Sequence, residues 1–321
     1  MYRTLAIFGV WGCALGCAPG EDSDPSTADS SLDSGPGEDS DSDTSADTDA
    51  AAVTYEVIGE NQFLVTNPTS QARMYVEFIS PTEPVSDVRV TAILVPGGRG
   101  DHTLFTGGNK AQASADLFDM NYIVFDPEGR GDSEGVEDEG GSVHQDGLLE
   151  LVRFATEQFD ASIDVDRIGV ISNSYGVTIA TGMLSRHESA NDMVKFLVDF
   201  EGPADRNDTG SCAGGNGHLS EYDCEDEDFW SQREAKNFVG GIAVPYARVQ
   251  SVTDHVQPDH DHAILMINRA LEGTAPMVWL NHTPLEEEVT SLPDELLLPD
   301  AADPYEIRTD SQIALELLEA M

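Results

Sequence analysis

Gly169 to Gly182 reads "GVISNSYGVTIATG": a β-branched apolar run, a small polar hinge, then a helical pattern. At its centre, Ser172-Asn173-Ser174-Tyr175-Gly176 differs by one residue from G-x-S-x-G, the sharp strand-to-helix turn that exposes a nucleophilic serine. Ser172 stands where the first Gly is usual. A strained turn needs a small residue there for close packing, and Ser is small enough. The alternative role for Ser174 is that of an ordinary helix N-cap. Five residues do not separate the two readings, so the surroundings of the motif must.

Short β-like runs come first in the chain: "VTYEVI", "QFLVTN", "RMYVEFI" and "VRVTAILV", rich in Val, Ile, Thr and aromatics, with Pro and Asn between them. After Val95 strands alternate with helices. "NYIVFD" precedes a helix over "SVHQDGLLELVRFATEQF", whose Ser142 and Gln145 have capping-box spacing. "RIGVIS" precedes the helix "YGVTIATGML", and "VKFLVDF" is the next strand. "AVPYARVQSV" is followed by the helix "DHDHAILMINRAL", then come the strand "MVWLN" and a last helix near "DSQIALELLEA". This order predicts one α/β domain over 53–321, a mostly parallel sheet with helices on both faces. From about 203 to 238 the rhythm gives way to Gly-rich and acidic sequence, which predicts a small insertion over one end of the sheet.

In an open parallel sheet, functional groups gather beyond the carboxyl ends of the strands. Asp254 follows "YARVQSV" and His282 follows "MVWLN", so the chain order is Ser174, Asp254, His282. That is the nucleophile, acid, base order expected after such an elbow. A serine hydroxyl is a weak nucleophile at neutral pH; an imidazole must take its proton, and a carboxylate must hold the ring in the right tautomer. The competing carboxylates are Asp199 and Glu201 in "VDFEGPAD". "ILVPGGRGD" ends an earlier strand in glycines, whose N–H groups can approach a ligand closely. Gly98 and the N–H of Tyr175 are the expected oxyanion donors.

From about Val53 onward the chain resembles the α/β-hydrolases. "VPGGRG" stands at their oxyanion loop, and "FDPEGRGDSEG" (Phe125 to Gly135) resembles the D-x-x-G-x-G-x-S loop after their fourth strand. "SNSYG" matches the elbow, "QSVTDHVQP" the acid loop and "NH" the histidine position. "RGDSEG" and "SYG" lean toward the proline-iminopeptidase and X-prolyl-peptidase or acyl-esterase branches. The resemblance implies a cofactor-free serine hydrolase with Ser174, Asp254 and His282 as its catalytic set. The implied substrate is a small ester, with a short peptide as the alternative. Pro96 replaces the His often found before the oxyanion-loop Gly; Pro has no N–H, but the expected donor lies downstream. The competing class is a non-catalytic binding module on the same fold, using the insertion to meet a partner.

Residues 1–17, "MYRTLAIFGVWGCALGC", carry one side-chain charge (Arg3), an apolar run and small residues. This reads as an export signal too short to span a bilayer. "ALGC" resembles a bacterial lipobox, so lipidation at Cys17 and tethering to a membrane are expected, with plain secretion as the alternative. Residues 18–52 are Asp, Ser, Thr, Gly and Pro with almost nothing apolar, and are expected to form an acidic disordered linker. Within it "DSDSDT" (Asp39 to Thr44) lacks the Gly and Glu of a calcium loop. Cys13 falls in the signal, which leaves Cys212 and Cys224 as an even pair in an oxidising compartment. A disulfide between them would contribute roughly 3 kcal/mol; metal ligation is the alternative.

A net charge of −44 repels nucleic acid and anionic headgroups. No nucleic-acid partner is expected, and membrane contact only through the anchor. His255, Asp259, His260, Asp261 and His262 are ligand-type residues, but they open a helix, where Asp suits the dipole. His260 and His262 are two apart and do not share a helix face. No metal site is expected. Arg130, Asp132 and His144 read as structural. Oligomeric state is not legible.

Overall fold

A computed structural model of the protein describes residues 52–212, 219–299 and 305–321. The expected export signal, Cys17 and the linker up to residue 51 lie outside the described residues. Strands β1 (Tyr55–Gly59), β2 (Gln62–Thr66) and β3 (Arg73–Ile79) form an antiparallel meander. Strands β4 (Arg89–Val95), β5 (Asn121–Phe125), β6 (Ile163–Asn173), β7 (Leu197–Phe200), β8 (Tyr246–Val249) and β9 (Val278–Leu280) run parallel to one another. β10 (Thr283–Leu285) closes the far edge antiparallel to β9. The sheet order is β1-β2-β3-β5-β4-β6-β7-β8-β9-β10.

The helices are α1 (Thr103–Thr106), α2 (Lys110–Phe118), α3 (Ser142–Gln158), α4 (Gly176–Arg186), α5 (Glu188–Met193), α6 (Glu227–Trp230), α7 (Asp261–Glu272) and α8 (Arg308–Ala320). Leu148 and Leu151 of α3, Ile179 of α4 and Met266 of α7 share a core on one face of the sheet. Phe105 of α1, Ala115 of α2 and Ile313 of α8 share the core on the other. Coverage on both faces explains why β4 is buried at every position, whereas β2, near the edge, alternates. The chain has the α/β-hydrolase fold, as the order of its sequence elements predicts.

The capping box at Ser142 does not form. The N-cap of α3 is Gly141, and the Asp138 carboxylate accepts from the N–H of Val143 (2.8 Å) and of His144 (3.4 Å). Gln145 is drawn inward instead, where its amide donates to the carbonyls of Gly140 and Gln232. It packs so closely on α4 that a Cβ at Gly182 would lie 2.3 Å from its Cδ. Packing outweighs the local motif. α1, α2, α5 and β10 are unmarked in the sequence; three of them are six residues or fewer, too short to show a period.

The expected insertion is built from turns and α6, stapled by the Cys212–Cys224 disulfide with 5.6 Å between Cα atoms. Arg206 ties it together, bonding Glu227, Glu234 and the carbonyl of Cys224. Leu219 and Trp230 pack on Tyr175, the residue after the elbow serine. The insertion therefore sits against the end of the sheet where β6 delivers Ser174.

Candidate active site

Ser174 leaves β6 in the left-handed region, at φ +49°. A non-glycine residue held there is strained, and such strain concentrates at functional turns. Close packing enforces the turn. A Cβ on Gly176 would lie 2.7 Å from the carbonyl oxygen of Val95, and one on Gly97 would lie 2.8 Å from the Cβ of Ser174. Ser172 is fully buried, with its hydroxyl 3.4 Å from the carbonyl of Val198, so the replacement of the usual Gly is accommodated. The Tyr175 hydroxyl donates to the carbonyls of Glu139 (3.1 Å) and Arg233 (3.0 Å), anchoring the expected oxyanion residue to two neighbouring loops. The β4 exit is fixed by His102, whose N–H and Nδ1 meet Asp126 at 2.6 and 2.7 Å, while Asp126 also accepts from the N–H of Asp132 at 2.7 Å.

A cavity of about 240 Å³ opens at the elbow. Gly97, Gly98, Ser174 and Tyr175 line one part of it; His255, Val256 and Gln257, which follow β8, line another. His255 was not singled out as a base from sequence. Its Nδ1 lies 2.8 Å from the Glu201 carboxylate, which also accepts the His255 backbone N–H at 3.0 Å. Glu201 is fully buried at the exit of β7, at φ +45°, and takes further hydrogen bonds from the N–H (2.9 Å) and hydroxyl of Ser251. Burial would push this carboxyl up, but hydrogen bonds from His255 and Ser251 outweigh burial and hold it below the usual carboxylate range. An ionised Glu201 fixes His255 in the Nδ1–H tautomer, leaving Nε2 to accept a proton. Glu201 thus accepts four hydrogen bonds, two from His255 and two from Ser251.

Asp254 and His282 are not brought together. One Asp254 oxygen accepts the N–H of Val256 (2.8 Å) and of Gln257 (2.9 Å), and the other accepts from Gln250 and lies 3.3 Å from Nε2 of His262. Despite burial, these bonds depress its pKa far below the carboxylate norm. Its Oδ1 lies 3.5 Å from Nδ1 of His255, farther than the Glu201 carboxylate, and its hydrogen bonds to Val256 and Gln257 brace the loop that carries that ring. His282 lies elsewhere. Asn281 and His282 form the two-residue turn between β9 and β10, with Leu280 paired to Thr283. Asn281 turns inward and bonds Gln250; His282 turns outward, its side chain 40% exposed and its Nδ1 2.7 Å from Glu316 of α8. His262 is a core residue, with Nδ1 3.0 Å from Arg248, which in turn forms a wholly buried ion pair with Asp199.

Asp310, in the first turn of α8, is buried with one oxygen unpartnered among the described residues. Burial, with Asp199 and Glu201 nearby, raises its pKa to about 8. The folded chain therefore keeps a proton that the unfolded chain releases near pH 4. The Asp310 contribution to stability falls as pH rises from about 4 to about 8, where the folded carboxyl also ionises. Asp310→Asn is expected to raise the melting temperature by a few degrees at pH 8 and by progressively less toward pH 4, as measured by thermal denaturation across that range.

A second depression, about 730 Å³ and open, lies on the insertion. It is larger than the Ser174 cavity, but Arg206 and Lys236 in its walls are paired with Glu227, Glu234 and Asp205. Ser174 and His255 both line the smaller cavity.

Sheet order, strained elbow and adjoining imidazole–carboxylate pair define the molecule as an α/β-hydrolase-fold protein. Solved structures agree on the fold. An esterase of Pyrococcus furiosus superposes with a TM-score of 0.55 at 16% identity, covering 83% of this chain and 93% of that one. An S-formylglutathione hydrolase of Agrobacterium tumefaciens gives 0.55 at 12% identity, covering 83% and 100%. An acylaminoacyl peptidase of Pyrococcus horikoshii gives 0.55 at 12% identity, covering 84% of this chain and 42% of that one. No family model and no curated protein sequence matches the chain.

Proposed function

We propose that the protein is a serine hydrolase acting on a carboxylic ester, with Ser174 as nucleophile, His255 as general base and Glu201 as the acid that orients it. The reading rests on one observation. Ser174 and His255 line the same cavity, while Nδ1 of His255 is held 2.8 Å from a buried, ionised Glu201. In this mechanism Ser174 Oγ bonds to the substrate carbonyl carbon as its proton passes to His255 Nε2. The oxyanion takes hydrogen bonds from the backbone N–H groups of Gly98 and Tyr175. Collapse breaks the bond to the leaving oxygen, which receives the proton from His255. Water then repeats the sequence on the acyl-enzyme and frees the acid. Nucleophile, acid and base keep their order along the chain, but acid and base each come one strand earlier than Asp254 and His282.

An ester is preferred over the amine end of a peptide because no carboxylate lines the cavity among the described residues. Of the acids that the sequence offers as an amine anchor, Glu201, Glu221 and Glu225, the first is committed to His255 and Ser251, the second is paired with Arg99, and none of the three is among the described residues lining the cavity. Short-peptide hydrolysis, the activity of the peptidase branches that the motifs resemble, is the second reading. Export with a lipid on Cys17 belongs to the proposal on sequence grounds, and the mass of the mature N-terminal peptide tests it.

The deciding experiment is labelling with a fluorophosphonate, read by intact mass and peptide mapping. One adduct per chain is expected at Ser174, absent after heat denaturation and absent in Ser174→Ala. A folded protein that takes no adduct would return the site to the binding-module reading.

A further inference from the structure

Resting on the hydrolase reading of Ser174, we infer that Glu139 is a positioning residue for the oxyanion hole, tying both of its donors, Gly98 and Tyr175, to one buried point of the chain. The two donors follow different strands and need a common reference. Tyr175 is buried, and its hydroxyl donates to the Glu139 carbonyl at 3.1 Å. Gly98 is held otherwise. It and Arg99 are the central residues of a turn closed by the Gly100 N–H on the Gly97 carbonyl at 2.9 Å. Gly98 stands at φ +53°, and no described residue beyond its chain neighbours comes within 4 Å of a Cβ built on it. Packing on that side therefore does not hold the turn, and glycine does not stiffen it.

The Arg99 side chain supplies the restraint. Its Nε donates to Glu139 Oε1 at 2.7 Å, and its Nη2 bonds the same oxygen and Glu221 of the insertion. Glu139 is itself fixed: it is buried, at φ +50°, with its N–H on the Glu137 carboxylate at 2.8 Å. A buried carboxylate paired with a half-exposed guanidinium adds little net stability, because desolvation offsets the attraction. What the pair does set is direction, since two charge-assisted bonds to one oxygen orient the turn that carries Gly98. Donors stabilise a developing charge best when they need not move to meet it. One residue thus holds Gly98 through its side chain and Tyr175 through its carbonyl.

The test uses the full chain and a small trifluoromethyl ketone, 1,1,1-trifluoro-2-butanone. Ser174 Oγ adds to its carbonyl carbon, His255 takes the proton, and the former carbonyl oxygen becomes an oxyanion in the hole. Ketone affinity is read as protection of Ser174 from fluorophosphonate labelling, and kcat and KM are read on p-nitrophenyl acetate. Glu139→Ala is expected to weaken ketone binding and lower kcat by a similar factor, about 10- to 100-fold, with KM within about twofold. Arg99→Ala cuts the same contact from its exposed side; it is expected to match Glu139→Ala, and serves alone if that variant does not fold. Glu139→Gln keeps an acceptor in place and is expected to stay within about threefold of wild type. A contact that merely supports the fold would change the fraction of active enzyme and leave ketone affinity unchanged. Unchanged ketone affinity in a folded Ala variant, a Gln variant as impaired as Ala, or a ketone that fails to protect wild type overturns the inference and leaves the hydrolase reading standing. An adduct at Ser174 without ester turnover overturns the substrate class alone, and ketone protection still decides this inference. Neither adduct nor turnover in wild type removes the hydrolase reading, and this inference with it.

Discussion

His255→Ala is expected to lower kcat by about 10⁴- to 10⁶-fold, as loss of the base does in serine hydrolases, whereas His282→Ala leaves kcat and KM within about twofold. Steady-state kinetics on one activated ester compares the two directly. The asymmetry follows from placement. His255 borders the cavity that holds Ser174 and is oriented by a buried carboxylate; His282 sits in an edge turn, half in solvent, against Glu316 on the surface of α8. Its exposed ion pair contributes little to stability, so His282→Ala should also leave the melting temperature nearly unchanged. A large loss at His282 with an active His255→Ala would reinstate the base after β9.

The second large effect separates the two carboxylates. Glu201→Gln is expected to reduce kcat by about 10³- to 10⁴-fold with the fold intact, because an amide of the same shape cannot stabilise the imidazolium formed during proton transfer. Asp254→Asn is expected to do the reverse, leaving kcat within about tenfold but destabilising the chain by about 2 kcal/mol, since it disrupts charge-assisted bonds from Gln250 and two backbone N–H groups. The pH dependence gives a further check. Asp254 has a depressed folded pKa, so its stabilisation is present above the unfolded value near 4 and is lost as pH falls through the folded one. The stability gap between wild type and Asp254→Asn should therefore narrow in strong acid, as read by urea denaturation at pH 7 and below pH 3. A larger kcat loss in Asp254→Asn than in Glu201→Gln would identify Asp254 as the orienting acid.

The fold and the elbow were legible in the sequence because both depend on local information. Alternating strands and helices, their hydrophobic periods and the G-rich turn after "ILV" are each set within a window of about ten residues. A one-residue departure from G-x-S-x-G around Ser174 still marked a strand-to-helix turn, and the backbone at φ +49° bears that out. The cysteine pair was legible by elimination, and it closes as expected.

The proposed partners of Ser174 were not legible in the same way. Position after a strand says which end of the sheet a residue occupies, but not whether its side chain turns toward the cavity or away from it. Asp254 and His255 are adjacent in sequence and leave β8 on the same loop, yet one caps that loop and the other enters the cavity. "LNHTPL" contained a warning, since Asn at a left-handed position suits a two-residue hairpin, and Asn281 adopts φ +52° there. Glu201 was visible only as a competitor to Asp254. What favours it in the proposed mechanism is the burial of its carboxylate beneath Ser251 and His255, the latter 54 residues away in sequence. Strand order and the nucleophile turn follow from steric and hydrophobic rules that act along the chain. The choice of acid and base depends on which side chains loop packing aims into one desolvated space, and only the tertiary structure determines that.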